Sequence, residues 1–309
     1  MAVLRDLFLA MSTNALVRQF VVGFPLSRRV SHRFVAGETI DEAIQVVKKL
    51  RGQGIDVTFD QLGESVTNET EARVAKDSYL RALDAIAASQ VSSQVSVKLT
   101  QMGLDINTDL CLANMRQILT RAREVGTLVA IDMEDSQHTQ VTLNVFKTLR
   151  EEFDNVGIVL QSYLYRSEED FRALMALGAN VRLCKGAYKE SVEVAFPQKK
   201  DVDANYLKLA QLFFDSNGSA NRAYLDLATH DEKIIAWAKG YVTAHQVDRK
   251  RFEFQMLYGI RSDLQRKIVE EGYTMRVYVP CGTHWYPYFM RRLAERPANV
   301  IFLISNLFR

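Results

Sequence analysis

The sequence is short of several things, and each shortage closes off a class of protein. Only three cysteines occur in 309 residues, Cys111, Cys184 and Cys281. An odd count with no CxxC pair gives no disulfide framework, and the reducing cytoplasm is the simplest setting. The five histidines, His32, His138, His230, His245 and His284, are scattered with no ligand spacing between them, so no metal site is expected. No apolar run reaches the roughly 18 residues that span a bilayer. An excess of one charge is missing too. With 39 basic and 37 acidic residues the net charge is +2, which argues against a nucleic-acid partner, because such proteins carry a basic stripe. No low-complexity segment or flexible linker follows residue 40, so no second folded domain is indicated.

What remains is 48% hydrophobic and 25% charged, enough for a large core and a well-solvated surface. The stretch from Met1 to Arg33 is basic, with Arg5, Arg18, Arg28, Arg29 and Arg33 facing only Asp6. That pattern suits a transit peptide. It also suits a short helical arm, since Leu4, Phe8, Met11 and Ala15 recur on one helical face. The arm is the reading adopted here, because no small-residue cleavage site stands out and helical patterning resumes at Thr39. The expected division is an arm over 1–42 and a catalytic unit over 43–309.

From residue 55 short β-branched runs alternate with helical patterns. The predicted strands are Ile55–Asp60, Val95–Leu99, Leu128–Asp132, Gly157–Gln161, Asn180–Cys184, Ala223–Ala228, Phe252–Met256 and Met275–Val279. Leu112, Met115, Leu119, Ala122 and Val125 mark one helix face. Ser167 with Asp170, and Ser262 with Gln265, read as capping boxes, and Gly178 and Gly272 as helix ends. Strand–helix alternation implies right-handed parallel units. An open doubly wound sheet would carry a glycine-rich turn after its first strand, whereas Asp60-Gln61-Leu62-Gly63-Glu64 has one glycine. The expected fold is therefore a TIM-like (β/α)8 barrel.

Active sites of such barrels sit at the C-terminal strand ends. Those ends read Asp60 and Glu64, Lys98, Asp132 and Met133, Gln161, Arg182 and Lys185, Thr229 and His230, Gln255 and Leu257, and Tyr278. Taken singly, each is as well explained by a salt bridge or a solvated rim. Their convergence on one mouth favours a site. Lys98 alternates in phase with Ser96 and so points into the barrel. It is either a Schiff-base nucleophile with a depressed pKa or the partner of a carboxylate, with Asp132 the obvious candidate. In Arg182-Leu183-Cys184-Lys185-Gly186-Ala187-Tyr188, Lys185 suits a pyrophosphate and Gly186 admits close approach, though a solvated basic turn would read the same way. Arg291 and Arg292 could clamp a carboxylate. Equally, they could lie on an exposed helix face bridged to Glu295.

Four segments together resemble the proline dehydrogenase family: Leu62-Gly63-Glu64, Val97-Lys98-Leu99, Arg182 through Tyr188, and Tyr278 through Tyr288-Phe289-Met290-Arg291-Arg292. The resemblance covers nearly the whole chain. It implies a barrel whose last helix crosses the mouth, noncovalent FAD, and oxidation of L-proline to 1-pyrroline-5-carboxylate, the first step from proline to glutamate. It implies that Arg291, Arg292 and Lys98 bind the proline carboxylate, with Asp132 beside them and Asp132 and Arg182 in catalytic positions. Tyr278 and Leu257 would pack on the proline ring and Tyr188 would border it. Tyr288 would crowd a 4-hydroxyl. Arg182 and Gln161 would hydrogen-bond the flavin, Met133 would lie against it, and Lys185, Gly186 and Ala187 would line its phosphate path. Thr229 and His230 would also touch the cofactor. Glu64 and Arg291 would form a gate. A quinone would take the electrons, so the chain would be cytoplasmic with peripheral contact at the inner membrane through its basic arm, and a homo-oligomer would be in keeping. Two positions depart from the family pattern: Asp231 stands where asparagine is common, and Cys184 stands within the Arg-Leu-Val-Lys turn.

Overall fold

The structure is a computed structural model that describes residues 31–216 and 222–295. The apolar face predicted for the arm, Leu4, Phe8, Met11 and Ala15, lies outside the described residues. The first described helix, α1 (Ile40–Arg51), runs through the boundary expected at 42/43. Thr39 caps it with the reciprocal Glu42 contact of a capping box, worth about 1 kcal/mol.

Eight parallel strands then close on themselves: β1 (Asp56–Gln61), β2 (Gln94–Lys98), β3 (Val129–Asp132), β4 (Val156–Gln161), β5 (Asn180–Cys184), β6 (Tyr224–Ala228), β7 (Phe252–Leu257) and β8 (Met275–Cys281). Closure is the β1–β8 pairing, which sets Phe59 beside Val279 and Asp60 beside Pro280. Between the strands lie α2 (Glu69–Ala88), α3 (Thr108–Glu124), α4 (Ser136–Glu152), α5 (Ser167–Ala176), α6 (Lys199–Asp215), α7 (Glu232–Ala244) and α8 (Ser262–Glu270); α9 (Trp285–Glu295) follows β8. The expected (β/α)8 barrel is the fold observed.

Period-two alternation divides each strand's side chains between two environments. Val57, Phe59, Val95, Val97, Ile131, Leu183, Leu227 and Val277 are fully buried in the main hydrophobic cluster that joins strands to helices. Met115, Leu119 and Ala122 meet them from α3, fully buried, with Leu112 and Val125 at the edge. The opposite set faces the barrel axis and is strongly polar: Thr58, Asp60, Ser96, Asp132, Gln161, Arg182, Asp226, Glu253 and Gln255 are all buried. At the lower end of the axis Arg276 grips Glu253 through Nε–Oε1 at 2.5 Å and Nη2–Oε2 at 2.9 Å.

Both expected capping boxes in the later helices are corrected. Ser167 is the first residue of α5, and its hydroxyl donates backward to the carbonyls of Gln161 (2.7 Å) and Leu164, while Asp170 binds Arg166. Likewise α8 begins after Arg261, held at φ +55°, and Gln265 donates to the carbonyls of Ile260 (2.9 Å) and Leu257 (3.2 Å). In both cases the side chain satisfies carbonyls of the preceding strand–helix turn, a competing use of the same polar groups. Gly178 (φ +63°) and Gly272 (φ +76°) do end their helices in the left-handed conformation.

A second hydrophobic cluster sits above the strand ends. Trp285, Tyr286, Tyr288, Phe289 and Met290 of α9 pack with Leu62, Ile260, Phe34 and Val35, and Leu257 lies against them. Residues contributed after β1 and after β7 thus seat α9 over the barrel mouth.

Candidate active site

Asp132, the last residue of β3, is the hub of the mouth. Its Oδ1 accepts hydrogen bonds from Ser96 Oγ (2.6 Å) and Arg182 Nη1 (2.8 Å), and its Oδ2 accepts one from the Tyr278 hydroxyl (2.8 Å). Lys98 Nζ stands 3.5 Å from Asp132 Oδ2 and 3.6 Å from Asp60 Oδ1. Arg182 also reaches Ser96 Oγ at 2.9 Å and lies over the Tyr278 ring, 5.4 Å from its centroid. Burial alone would push the Asp132 carboxyl up, but the cations of Lys98 and Arg182 and its hydrogen bonds hold it below the usual carboxylate range.

Lys98 takes the second of its two predicted roles. Burial would lower its pKa, yet Asp60 and Asp132 outweigh burial and hold it well above the ordinary lysine value. It is a lasting ammonium, the reverse of what a Schiff-base nucleophile requires. Asp60 behaves differently from Asp132. It is fully buried, neither oxygen has a hydrogen-bond partner, and burial raises its pKa against the pull of Lys98.

The α9 arginines are not on a solvated face. Arg291 Nη1 lies 2.9 Å from Glu64 Oε1, joining α9 to the loop after β1. Arg292 is 7% exposed, with its guanidinium 4.9 Å from the centroid of the Tyr288 ring. Tyr188, after β5, lies within the fields of Lys98, Glu64, Glu134 and Arg291 together. Glu64, Lys98, Tyr188 and Arg291, distant in sequence, thus stand close enough to act on one another's charge.

The β4–β6 side of the rim is arranged as follows. Gln161 donates to the Glu134 carbonyl at 2.7 Å, and Met133 is buried beside it in sequence. Lys185 is held between Asp203 (2.5 Å) and Asp231 (2.8 Å). Asp231 also caps α7 through the Lys233 amide, and although burial opposes it, its contacts with Lys185 pull its pKa down to about 2. The departure at this position thus gives Lys185 a full counter-charge. Gly186 has φ +116°, and a Cβ there would come within 2.5 Å of the Tyr163 ring, so only glycine fits between that ring and the exposed Ala187. His230 Nε2 accepts the Leu257 amide at 3.0 Å, which leaves its proton on Nδ1, and Thr229 Oγ1 accepts the Asp231 amide at 3.1 Å.

Sequence reasoning left two buried carboxylates out of the site. Asp60 was visible at a strand end but had no family role attached. Glu134 follows Met133 and accepts from the Thr100 amide (3.1 Å) and hydroxyl (2.6 Å). Burial raises its pKa despite those bonds. Its signal was its place two residues past Asp132.

Comparison with known proteins bears on the family and the fold. A family model described as proline dehydrogenase matches residues 43–304. Proline dehydrogenase 1 of Bacillus subtilis is 44% identical over 306 residues, 99% of each chain. The proline dehydrogenase of Deinococcus radiodurans is 44% identical over 285 residues, covering 91% of this chain and 90% of its own. Among solved structures, proline utilization A of Bdellovibrio bacteriovorus, inactivated by N-propargylglycine, superposes with a TM-score of 0.80 at 28% identity. That alignment takes in 87% of this chain but only 33% of the longer protein. With a polar-mouthed barrel, a roofing helix that carries two arginines, and family matches over nearly its whole length, the chain belongs to the proline dehydrogenase family and is an enzyme of proline oxidation.

Proposed function

We propose that this enzyme oxidises L-proline to 1-pyrroline-5-carboxylate with noncovalently bound FAD and passes the electrons to a quinone. The observation that carries the reading is that Lys98, paired with Asp132 of the Asp132–Arg182–Tyr278 network, and Arg291 of the roofing helix both act on Glu64 and Tyr188 at the mouth.

The rim fits a flavin dinucleotide in its donor chemistry. Arg182 keeps Nε and Nη2 buried without hydrogen-bond partners, and Gln161, Thr229 and His230 add further polar groups at the ends of β4 and β6. Lys185, Gly186 and Ala187 would hold the phosphates, Arg182 and Gln161 the ring, and Met133 one ring face. When bound, the flavin supplies a two-electron acceptor for hydride.

The chain's own residues bind and orient. Lys98, Arg291 and Arg292 fix the substrate carboxylate, and the planar guanidinium forks set its angle. Tyr278 is locked by its bond to Asp132, and with Leu257 it walls the proline ring, while Tyr188 borders it. Asp132 keeps Arg182 in place and charged. Tyr288, packed under Arg292, narrows the space for a 4-hydroxyl. The Glu64–Arg291 pair closes the opening and keeps water from the reacting carbon. Fixing both reactants in this way lowers such barriers by several kcal/mol, about 7–11 at the upper end. The basic segment within 1–42 is the part assigned to membrane contact near the quinone.

The test is an absorbance spectrum of the purified protein with and without added FAD, followed by anaerobic addition of proline. A flavin band that proline bleaches is expected. No band after adding FAD refutes the cofactor, and a band that proline leaves unchanged refutes the substrate.

A further inference from the structure

Two ion pairs underlie the mouth, and they are not equivalent. Asp132 is served by Arg182 at 2.8 Å and by the Ser96 and Tyr278 hydroxyls, so its charge is compensated without Lys98. Asp60 has Lys98, at 3.6 Å, as its counter-charge among the described residues, and neither oxygen has a hydrogen-bond partner there. An ionised carboxylate buried this way costs several kcal/mol unless a counter-charge stays beside it. Lys98 is therefore the counter-ion of Asp60 first and of Asp132 second.

Resting on the reading that Lys98 binds the substrate carboxylate, we propose that Asp60 is a further positioning residue of this site: it holds Lys98 in the unliganded protein and releases it by taking up a proton when a carboxylate binds. A ligand carboxylate at the mouth draws the ammonium away from Asp60, which is 0% exposed and is then left with the Tyr278 hydroxyl, whose proton is already given to Asp132 at 2.8 Å. Neutralisation is then the cheaper state. The groups around Asp60 favour the same outcome. Among the described residues Lys98 from β2 is the cation facing it; Asp132 from β3, Tyr278 and Cys281 from β8, and Tyr79 from α2 face it as an anion or as neutral hydroxyls and a thiol. Burial already sets the carboxyl above the ordinary aspartate value, and an added negative charge nearby pushes it in the same direction.

The test is titration calorimetry of the flavin-loaded protein with tetrahydrofuran-2-carboxylate. This probe has the shape of proline with its amine replaced by oxygen, so it binds without being oxidised. Measurements in two buffers of different ionisation enthalpy count protons. Uptake approaching about one proton is expected, with Kd rising towards tenfold per pH unit above the titration of free Asp60. In Asp60→Asn, which mimics the protonated side chain, uptake vanishes and Kd becomes flat with pH. A heat that does not change with buffer in the unmodified protein overturns the proposal, and that measurement needs no variant to fold. Uptake that persists in Asp60→Asn overturns it as well. Lys98→Met separates the two readings. Unchanged probe binding there removes Lys98 from carboxylate recognition, and the Asp60 proposal with it. Weakened binding without proton uptake in the unmodified protein removes only the role of Asp60.

Discussion

Arg291 and Glu64 join the roof of the barrel to its rim, Nη1 to Oε1 at 2.9 Å, from opposite ends of the chain. Burial would raise the Glu64 carboxyl, but the Arg291 guanidinium holds it below the ordinary value of 4.5. A depressed carboxyl stabilises the closed arrangement above the unfolded pKa and loses that contribution as pH falls through the folded one. The contact is therefore expected to be intact at pH 5 and above and to open only in stronger acid. Glu64→Gln should raise the KM for proline about fivefold, as suits a half-exposed pair worth about 1 kcal/mol, while flavin content stays unchanged. Flavin loss would instead assign Glu64 to the scaffold.

Arg292→Lys should raise the KM for proline by about tenfold or more, because an ammonium cannot reproduce the two-point fork. The change also removes the guanidinium from the Tyr288 ring. Steady-state kinetics with proline check it, and an unchanged KM takes Arg292 out of carboxylate binding.

Asp132→Ala should cost about 3–5 kcal/mol of folding stability, since it strands the buried Arg182 and orphans two hydroxyls. Urea unfolding at neutral pH measures it. The loss should shrink in acid, where the depressed Asp132 carboxyl is protonated in the parent protein too.

Asp226, deep in the axis beside Arg182, carries the opposite sign. Burial and the neighbouring Glu253 push its pKa up to about 8, against Arg182 and Arg276. The folded state then binds a proton that the unfolded chain has released above its ordinary value of 3.8. The contribution is fully present below that value and drains away as pH rises towards 8, by at most about 1.4 kcal/mol per pH unit. Asp226→Asn should flatten this slope and leave the variant the more stable protein in mild alkali. Thermal unfolding across pH 5 to 9 is the check, and parallel curves would refute it.

The wall of the barrel was legible because period-two runs such as Val95-Ser96-Val97-Lys98 state which side chains face helices and which face the axis. Strand bounds hold to within two residues at either end. The Lys98–Asp132 partnership followed from the same alternation. The capping of α5 and α8 was not legible, because Ser167 and Gln265 bond to carbonyls that only tertiary folding brings within reach. Arg291 and Arg292 were ambiguous from local spacing, since an RRxxE pattern fits a solvated helix equally well. What decides it is the seating of Trp285 and Phe289 on Leu62 and Ile260. Asp60 was seen as a polar strand end, but its lack of any hydrogen-bond partner is a three-dimensional fact.

The Arg182–Asp132–Tyr278 network spans β5, β3 and β8, and Ser96 ties in β2. Half of the staves of the barrel are thus pinned by the same bonds that shape the mouth. A survey that scored variants only by how much protein accumulates in the cell, with no assay of turnover, would flag these four positions as strongly as any buried leucine. Loss of the catalyst and loss of the fold would be inherited together.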